Sequence, residues 1–163
     1  MMSKRSKSFK IGGAVVIALL FASFFFKFSS LTVEADNQMY WTWQDTFELA
    51  WIHSVEKEEW VEFYEIKNDE LLLTHTSFKT FGAGVPSTPN DGKNAVLKNG
   101  YVTMEIDRMF SSLQLVVSEN VQSTLVVKGK EIPLYKLTKN YEAVTISVTN
   151  LSLWDMVFKG VKL

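Results

Sequence analysis

The chain has no cysteine among its 163 residues. This absence excludes a disulfide framework, a thiolate metal site, a cysteine nucleophile and a bacterial lipid anchor attached to cysteine. The zinc-protease pattern HExxH and the phosphate-binding patterns GxGxxG and Walker A are also missing. We therefore expect no bound cofactor and no metal site.

Basic residues do not cluster after the N-terminus. Residues 36–70 contain ten acids and two bases, and residues 71–163 contain seven acids and ten bases. Nucleic-acid binding needs a stripe of lysine and arginine that neutralises phosphates. The sequence has no such stripe, so we expect no nucleic-acid partner.

The N-terminus carries an apolar run behind a basic flank. Residues 1–10 include four basic side chains, and Ile11–Phe26 has no charged side chain. A positive flank stays in the cytoplasm and directs the following chain across the membrane. We predict a basic flank at 1–10, a transmembrane anchor or signal segment at 11–28 and a linker at 29–38.

The predicted location is the cell membrane, with a single pass and the following domain outside the cytoplasm. The alternative is a secreted protein, because Val33 and Ala35 are small residues at the two positions that a signal peptidase reads for cleavage near Ala35. The apolar run is long for the core of a signal peptide, which favours the anchor.

Residues 39–163 predict an all-β domain. Apolar and polar residues alternate with a period of two. Turn signals recur about every 8–12 residues, a spacing that is typical of sandwiches and barrels. We expect an antiparallel β-sandwich or partly open barrel of about eight to nine strands.

Three consecutive strands are predicted over Phe47–Glu56, Trp60–Lys67 and Glu70–Phe78. They alternate in the strand period, and two of them are rich in aromatic and β-branched residues. A three-residue turn at Lys57–Glu59 joins the first pair, and a two-residue hairpin turn at Asn68–Asp69 joins the second.

This register places Ser54, Glu62 and His75 in one row across the three strands. Those are the residue types of a Ser–His–acid triad. However, a flat row on a sheet provides neither the exposed, strained turn of a serine nucleophile nor an oxyanion hole. We therefore expect a non-enzymatic protein, with a hydrolase as the minor alternative.

The acidic segment around His53 leaves a calcium site as a second alternative. Hard oxygen ligands suit calcium, and the available side chains are His53, Glu56, Glu58, Glu59, Glu62 and His75. The acids do not follow an ordered loop spacing. We interpret the segment as a solvated acidic hairpin, with His53 as a hydrogen-bonded core histidine.

A glycine-rich and proline-rich segment follows the third strand. Phe81–Asn94 reads FGAGVPSTPNDGKN, and its three glycines and two prolines exclude regular structure there. Long loops in compact domains are often binding sites. A plain crossover connection is the other interpretation, and both stay open at this point.

Three segments in close order carry a resemblance to a known family. They read WIHSVE at 51–56, WVE at 60–62 and TSFKTFGAGVP at 76–86, and GKEIPL follows at 129–134. With these motifs the chain resembles the family called domain of unknown function 1850 over roughly residues 45–150.

The resemblance implies a small bacterial protein, exported or membrane-anchored in many members, and often encoded beside TRAP transporters of the TAXI type. It does not clearly mark His75. It marks these candidate binding residues: His53, Ser54, Glu56, Glu62, Gly82, Ala83, Gly84 and Pro86.

We therefore expect a membrane-tethered accessory protein that assists a TRAP-type (TAXI) solute transporter. It would bind the solute-binding protein, the permease or the solute. A free-standing extracytoplasmic sensor of a ligand or of calcium is the alternative.

Overall fold

The computed structural model of the chain describes residues 13–15, 18, 20–80 and 93–163. It confirms the predicted all-β class, with the strands arranged in two sheets that do not close into a barrel. The first sheet, sheet A, contains β1 (Lys27–Ala35), β2 (Gln38–Thr42), β8 (Ser112–Val116), β11 (Ala143–Ser152) and β12 (Gly160–Lys162). Its spatial order is β12-β2-β1-β11-β8.

Sheet B has seven strands. They are β3 (Thr46–Ile52), β4 (Glu59–Lys67), β5 (Glu70–Phe78), β6 (Lys93–Lys98), β7 (Tyr101–Phe110), β9 (Thr124–Val127) and β10 (Lys130–Pro133). Their order is β10-β9-β3-β4-β5-β7-β6. The described ranges thus hold five and seven strands in the two sheets, more than the predicted number.

The main core lies between the two sheets. Leu31 and Val33 reach it from β1, and both are fully buried. Leu49, Leu71 and Leu125 reach it from three strands of sheet B and are also almost completely buried. Since successive side chains of a strand point to opposite faces, each sheet contributes one apolar face to this core.

β1 occupies positions that the sequence analysis assigned to a linker, so the linker at 29–38 was wrong for most of its length. The strand pairs on one side with β2, where Leu31 faces Thr42, and on the other with β11, where Leu31 faces Val148. The strand was missed because it follows the apolar run directly, so its own alternation merges with that run.

The hairpin of β4 and β5 confirms the predicted strands within one residue. Asn68 and Asp69 form its turn with φ values of 54° and 61°. Two positive φ angles define the type I′ turn, whose twist matches that of paired strands. A bulge between Leu73 and His75 then shifts the register of β5 against its neighbours.

β3 ends at Ile52 and not at the predicted Glu56. The residues between β3 and β4 form a loop, His53–Glu58, which is closed by a hydrogen bond from the His53 N–H to the Glu58 carbonyl at 2.8 Å. Lys57 has a φ of 57°, a conformation typical of turns and rare in strands. The predicted three-residue turn was therefore wrong.

A short helix, Leu153–Phe158, follows β11. Ser152 caps it. The Ser152 hydroxyl accepts from the Asp155 N–H, and the Asp155 carboxylate accepts from the Ser152 N–H, which completes a capping box.

The N-terminal segment is described in part. Residues 13–15, 18 and 20–22 are helical. Lys27 and Phe28, which the sequence assigned to the end of the transmembrane segment, belong to β1. Among the described residues, no helix has both the length and the apolar character needed to cross a membrane.

The strands give the sandwich two ends. We call one end the base: there Lys27 pairs with Ser152, and the Asn150 amide donates to the Asp69 carboxylate in the β4–β5 turn at 3.2 Å. We call the opposite end the tip, and it carries the His53–Glu58 loop. β4 runs from tip to base, and a strand of its length spans about 27 Å.

The burial of β1 makes a stability prediction. Val33→Ala, which empties a fully buried position of β1, should lower the free energy of unfolding by about 2–3 kcal/mol. The matched control is Val116→Ala in the same sheet, where the side chain is 65% exposed and the expected loss is less than about 1 kcal/mol. Urea unfolding of the full chain in detergent measures both, and equal losses would contradict the assigned position of β1.

Candidate functional site

The His53–Glu58 loop brings together three of the residues marked by the family resemblance. Nδ1 of His53 accepts a hydrogen bond from the Glu56 N–H at 3.3 Å and lies 3.4 Å from the Glu56 carboxylate. Ser54 lies between them in sequence and is exposed. The loop therefore presents an imidazole, a carboxylate and a hydroxyl at the tip.

Aromatic rings support this loop from below. The His53 ring stacks on Trp60 at a centroid distance of 5.8 Å, and Trp60 in turn contacts Trp51 at 5.5 Å and Phe78 at 5.1 Å. The Trp60 indole N–H donates to the hydroxyl of Thr76 at 2.7 Å. A buried indole that is both stacked and hydrogen-bonded has one orientation, so it fixes the plane of His53.

His53 is thus a partly buried, stacked residue at the edge of the core. This agrees with the expectation of a hydrogen-bonded core histidine. The side chain of His53 is 17% exposed, and that of the neighbouring Glu56 is 25% exposed.

The acids next to the loop are already paired with neighbouring residues. Glu58 accepts from the Thr80 hydroxyl at 2.8 Å, and Glu59 accepts from the Tyr101 hydroxyl at 3.0 Å. Lys79 lies over the Tyr101 ring, 5.2 Å from its centroid. These contacts tie the His53–Glu58 loop to the end of β5 and the start of β7.

The described side chains around His53, Glu56, Lys79 and Thr80 enclose a cavity of about 10 Å³. That volume holds about one water molecule, whereas pockets for small molecules measure about 300–1,000 Å³. Gly82, Ala83, Gly84 and Pro86 lie outside the described residues. This cavity is therefore too small to hold such a ligand.

Glu62 lies inside the sandwich and not at the tip surface. It alternates with Trp60 and Tyr64 on the inward face of β4, and the Tyr64 hydroxyl donates to its carboxylate at 2.6 Å. Burial raises the pKa of Glu62, and the hydrogen bond from Tyr64 opposes part of that rise. Burial, followed by the charge and hydrogen bond of Glu62, raises the pKa of Tyr64 as well.

His75 lies on the outer face of sheet B. Its ring stacks on Phe63 at 4.1 Å, and its Nδ1 is 2.9 Å from the Thr74 hydroxyl. Burial lowers its pKa, and the carboxylates of Glu48, Glu65 and Glu105 oppose that shift.

The predicted row of Ser54, Glu62 and His75 is therefore wrong. Ser54 lies in a loop, Glu62 pairs with Leu49 and Thr76, and His75 pairs with Phe63. The longer loop after β3 removed Ser54 from the sheet. Because Phe63 and not Glu62 faces His75, the glutamate and the histidine point to opposite faces of the sheet.

The outer face of sheet B carries an acidic groove that the sequence analysis did not identify. It consists of a cavity of about 300 Å³ beside His75, Glu48 and Glu65, and a second of about 350 Å³ beside Glu48, Glu59 and Glu131. The acid-rich composition of residues 36–70 was a visible signal. Its placement on one face depended on strand order, which the sequence did not reveal.

The calcium alternative finds no ready set of ligands in the described part of the chain. There, no group of three or more His, Cys, Asp or Glu side chains is arranged so that it could hold a metal ion. The acids of the expected hairpin point in different directions: Glu62 faces inward, and Glu58 and Glu59 bond to separate neighbours.

The Trp60–Thr76 and Glu62–Tyr64 pairs were not predicted as parts of the site. The second pair had a readable signal, because residues two apart on a strand share a face and a buried carboxylate needs a donor. The first pair depends on the register between β4 and β5, which puts Glu62 and not Trp60 directly opposite Thr76.

The interior position of Glu62 predicts a pH dependence. Its pKa in the folded chain lies above the ordinary value of 4.5, so the unfolded chain loses this proton first and stability falls as pH rises from about 4.5 through the raised pKa. Glu62→Gln keeps an acceptor for Tyr64 and removes the charge. Its free energy of unfolding should therefore increase relative to that of the wild type as pH rises over this range.

The control for Glu62→Gln is Glu70→Gln, which removes one exposed glutamate from the neighbouring strand. The measurement is urea unfolding of the three chains at pH values from about 4 to about 8. This range covers the ordinary pKa of a glutamate and a raised one. If Glu62→Gln loses stability with pH as steeply as Glu70→Gln does, the assignment of the slope to Glu62 is wrong.

Comparison with known proteins gives one family. Residues 47–134 match the family model described as Domain of unknown function (DUF1850). No curated protein and no solved structure matches the chain. The matched range contains the His53–Glu58 loop, Glu62 and all of sheet B except Thr46. Since the match covers more than half of the 163 residues, the chain belongs to the DUF1850 family.

Proposed function

We propose that this protein is a non-enzymatic accessory protein, tethered to the outer surface of the cell membrane, that assists a TRAP-type (TAXI) solute transporter through protein or solute binding. The observation that carries the proposal is the separation of the two ends of the sandwich. The apolar N-terminal segment joins the base at Lys27, and three of the residues marked by the family pattern, His53, Ser54 and Glu56, lie in the loop at the tip.

The position of β1 supports a retained anchor over a cleaved signal. Cleavage after Ala35 would remove the whole of β1, which pairs with both β2 and β11. It would also remove Leu31 and Val33 from the core. These pairings therefore argue against cleavage near Ala35.

The scattered positions of Ser54, Glu62 and His75 support a binding role over hydrolysis. Catalysis by such a triad needs the nucleophile and the base within hydrogen-bond reach. A protein contact needs only an exposed, well-oriented surface. The tip offers one, because Val55 is 68% exposed beside Ser54, and the stacked Trp60 holds His53 in place.

The transporter part of the proposal rests on the family resemblance, which implies a gene neighbourhood with TAXI-type transporters. The geometry adds the direction in which the tip would point relative to the membrane. A domain joined to the membrane at its base holds the tip about 27 Å away, one strand length from its attachment. At that distance a solute-binding protein docked on the permease is within reach of the tip.

Site-specific crosslinking tests the proposal. The chain has no cysteine, so Ser54→Cys introduces a single thiol at the tip, and a photoreactive maleimide can be attached there in intact membranes. We expect crosslinks to the TAXI solute-binding protein or permease. Lys67→Cys, exposed at the base end of the same strand pair, is the matched control and should give none.

Two results would contradict the proposal. One is the absence of tip crosslinks to either transporter protein, together with normal solute uptake in a deletion strain. The other is a rise in thermal stability with calcium or a free solute alone, which would favour the sensor alternative, because a ligand that prefers the folded chain raises its stability.

A further inference from the structure

The base of the sandwich exposes a group of large apolar side chains from two distant parts of the chain. Residues just before and within β1 contribute phenylalanines, and the helix Leu153–Phe158 contributes its outward face. We call this group the base patch: Phe24, Phe25, Phe26, Phe28, Val157 and Phe158, which are between 44% and 72% exposed.

The two halves of the base patch are in contact through Trp154. Its ring stacks on Phe24 at a centroid distance of 4.5 Å and on Phe158 at 5.4 Å. Its indole N–H donates to the Ser23 hydroxyl at 2.9 Å. The patch is therefore one continuous surface, and its N-terminal half has a defined position against the domain.

The helix is held on sheet A from beneath. The Trp41 indole N–H donates to the Met156 carbonyl at 3.2 Å, and Trp41, Leu151 and Met156 form a small buried cluster. With Met156 packed inward, Val157 and Phe158 are directed outward and are each 72% exposed.

Lysines border the aromatic surface. Lys27 follows Phe26 directly in the sequence, and Lys159 ends the helix and neutralises Asp155 through a contact of 2.7 Å. Lys162 lies over the ring of the exposed Trp43, 5.4 Å from its centroid. Aromatic rings interleaved with lysines are the composition that proteins use at the boundary between lipid headgroups and hydrocarbon.

The uncharged run Ile11–Phe26 ends within the base patch. A segment that enters the bilayer along this run brings Phe24, Phe25 and Phe26 to the depth of the headgroups, and Trp154 connects them to the helix. A soluble protein rarely exposes so many adjoining apolar side chains without a partner for them. The charge of Lys27 at the border suits anionic lipids.

We propose that the base patch is a second membrane contact, in which Val157 and Phe158 insert among the lipid headgroups beside the N-terminal segment. This inference rests on the tethering part of the proposed function. It adds that the domain lies against the bilayer in one orientation, with the tip directed away from the membrane.

The test uses the full chain in nanodiscs of phosphatidylcholine and phosphatidylglycerol. Val157→Cys carries an environment-sensitive fluorophore at the base patch. Val55→Cys carries the same fluorophore at the tip, where the parent valine has nearly the same exposure, 68% against 72%. We expect a blue-shifted emission that nitroxide-labelled lipids quench at Val157, and an aqueous, unquenched emission at Val55.

The outcomes separate this inference from the tether. If the chain incorporates into nanodiscs but the Val157 fluorophore is as aqueous as the one at Val55, the second contact is wrong and the tether stands. If the chain does not incorporate at all, both are wrong. If unlabelled Val157→Cys chains form disulfide dimers, and the fluorophore of the labelled chains is shielded without lipid quenching, the patch binds a second copy instead.

Discussion

The pairing of β1 with β2 and β11 determines where everything else in the molecule lies. Leu31 and Val33 of this strand are fully buried between the sheets. Burial of each such side chain contributes about 1.5–3 kcal/mol to the free energy of unfolding. This is a large share of the total, which is about 5–15 kcal/mol for a folded domain. Because β1 begins at Lys27, directly after the apolar run, the same strand also fixes the point at which the N-terminal segment joins the sandwich.

The two sheets also differ in how far the family match covers them. The family match, residues 47–134, covers sheet B and β8, so the tip and its His53–Glu58 loop belong to the shared part of the family. The remaining strands of sheet A, with the short helix after β11, lie outside the match and build the base. The exposed apolar side chains of the base patch and the aromatic-supported His53–Glu58 loop therefore lie next to different sheets of one sandwich.

Local signals predicted the parts of the fold that local chemistry determines. The Asn68–Asp69 turn and its two strands were predicted within one residue, because positive φ angles suit these residues and the flanking alternation is regular. The site was predicted less well. Its residues His53, Ser54 and Glu56 do share one loop, but the separation of Glu62 from Ser54 and His75 depended on a loop length and a bulge that composition does not reveal. β1 was missed because an apolar strand that follows an apolar run has no local boundary.

Sheet A joins parts of the chain that are made at very different times. Thr32 in β1 hydrogen-bonds to Thr149 in β11 at 3.0 Å, across 117 positions of sequence. Contacts of such long range slow folding, because the chain must close a large loop before they form. During synthesis, β1 has an open edge toward β11 until Ala143–Ser152 have been made. The strand β11 therefore completes the sheet that β1 begins, and the nascent chain stays vulnerable to aggregation until then.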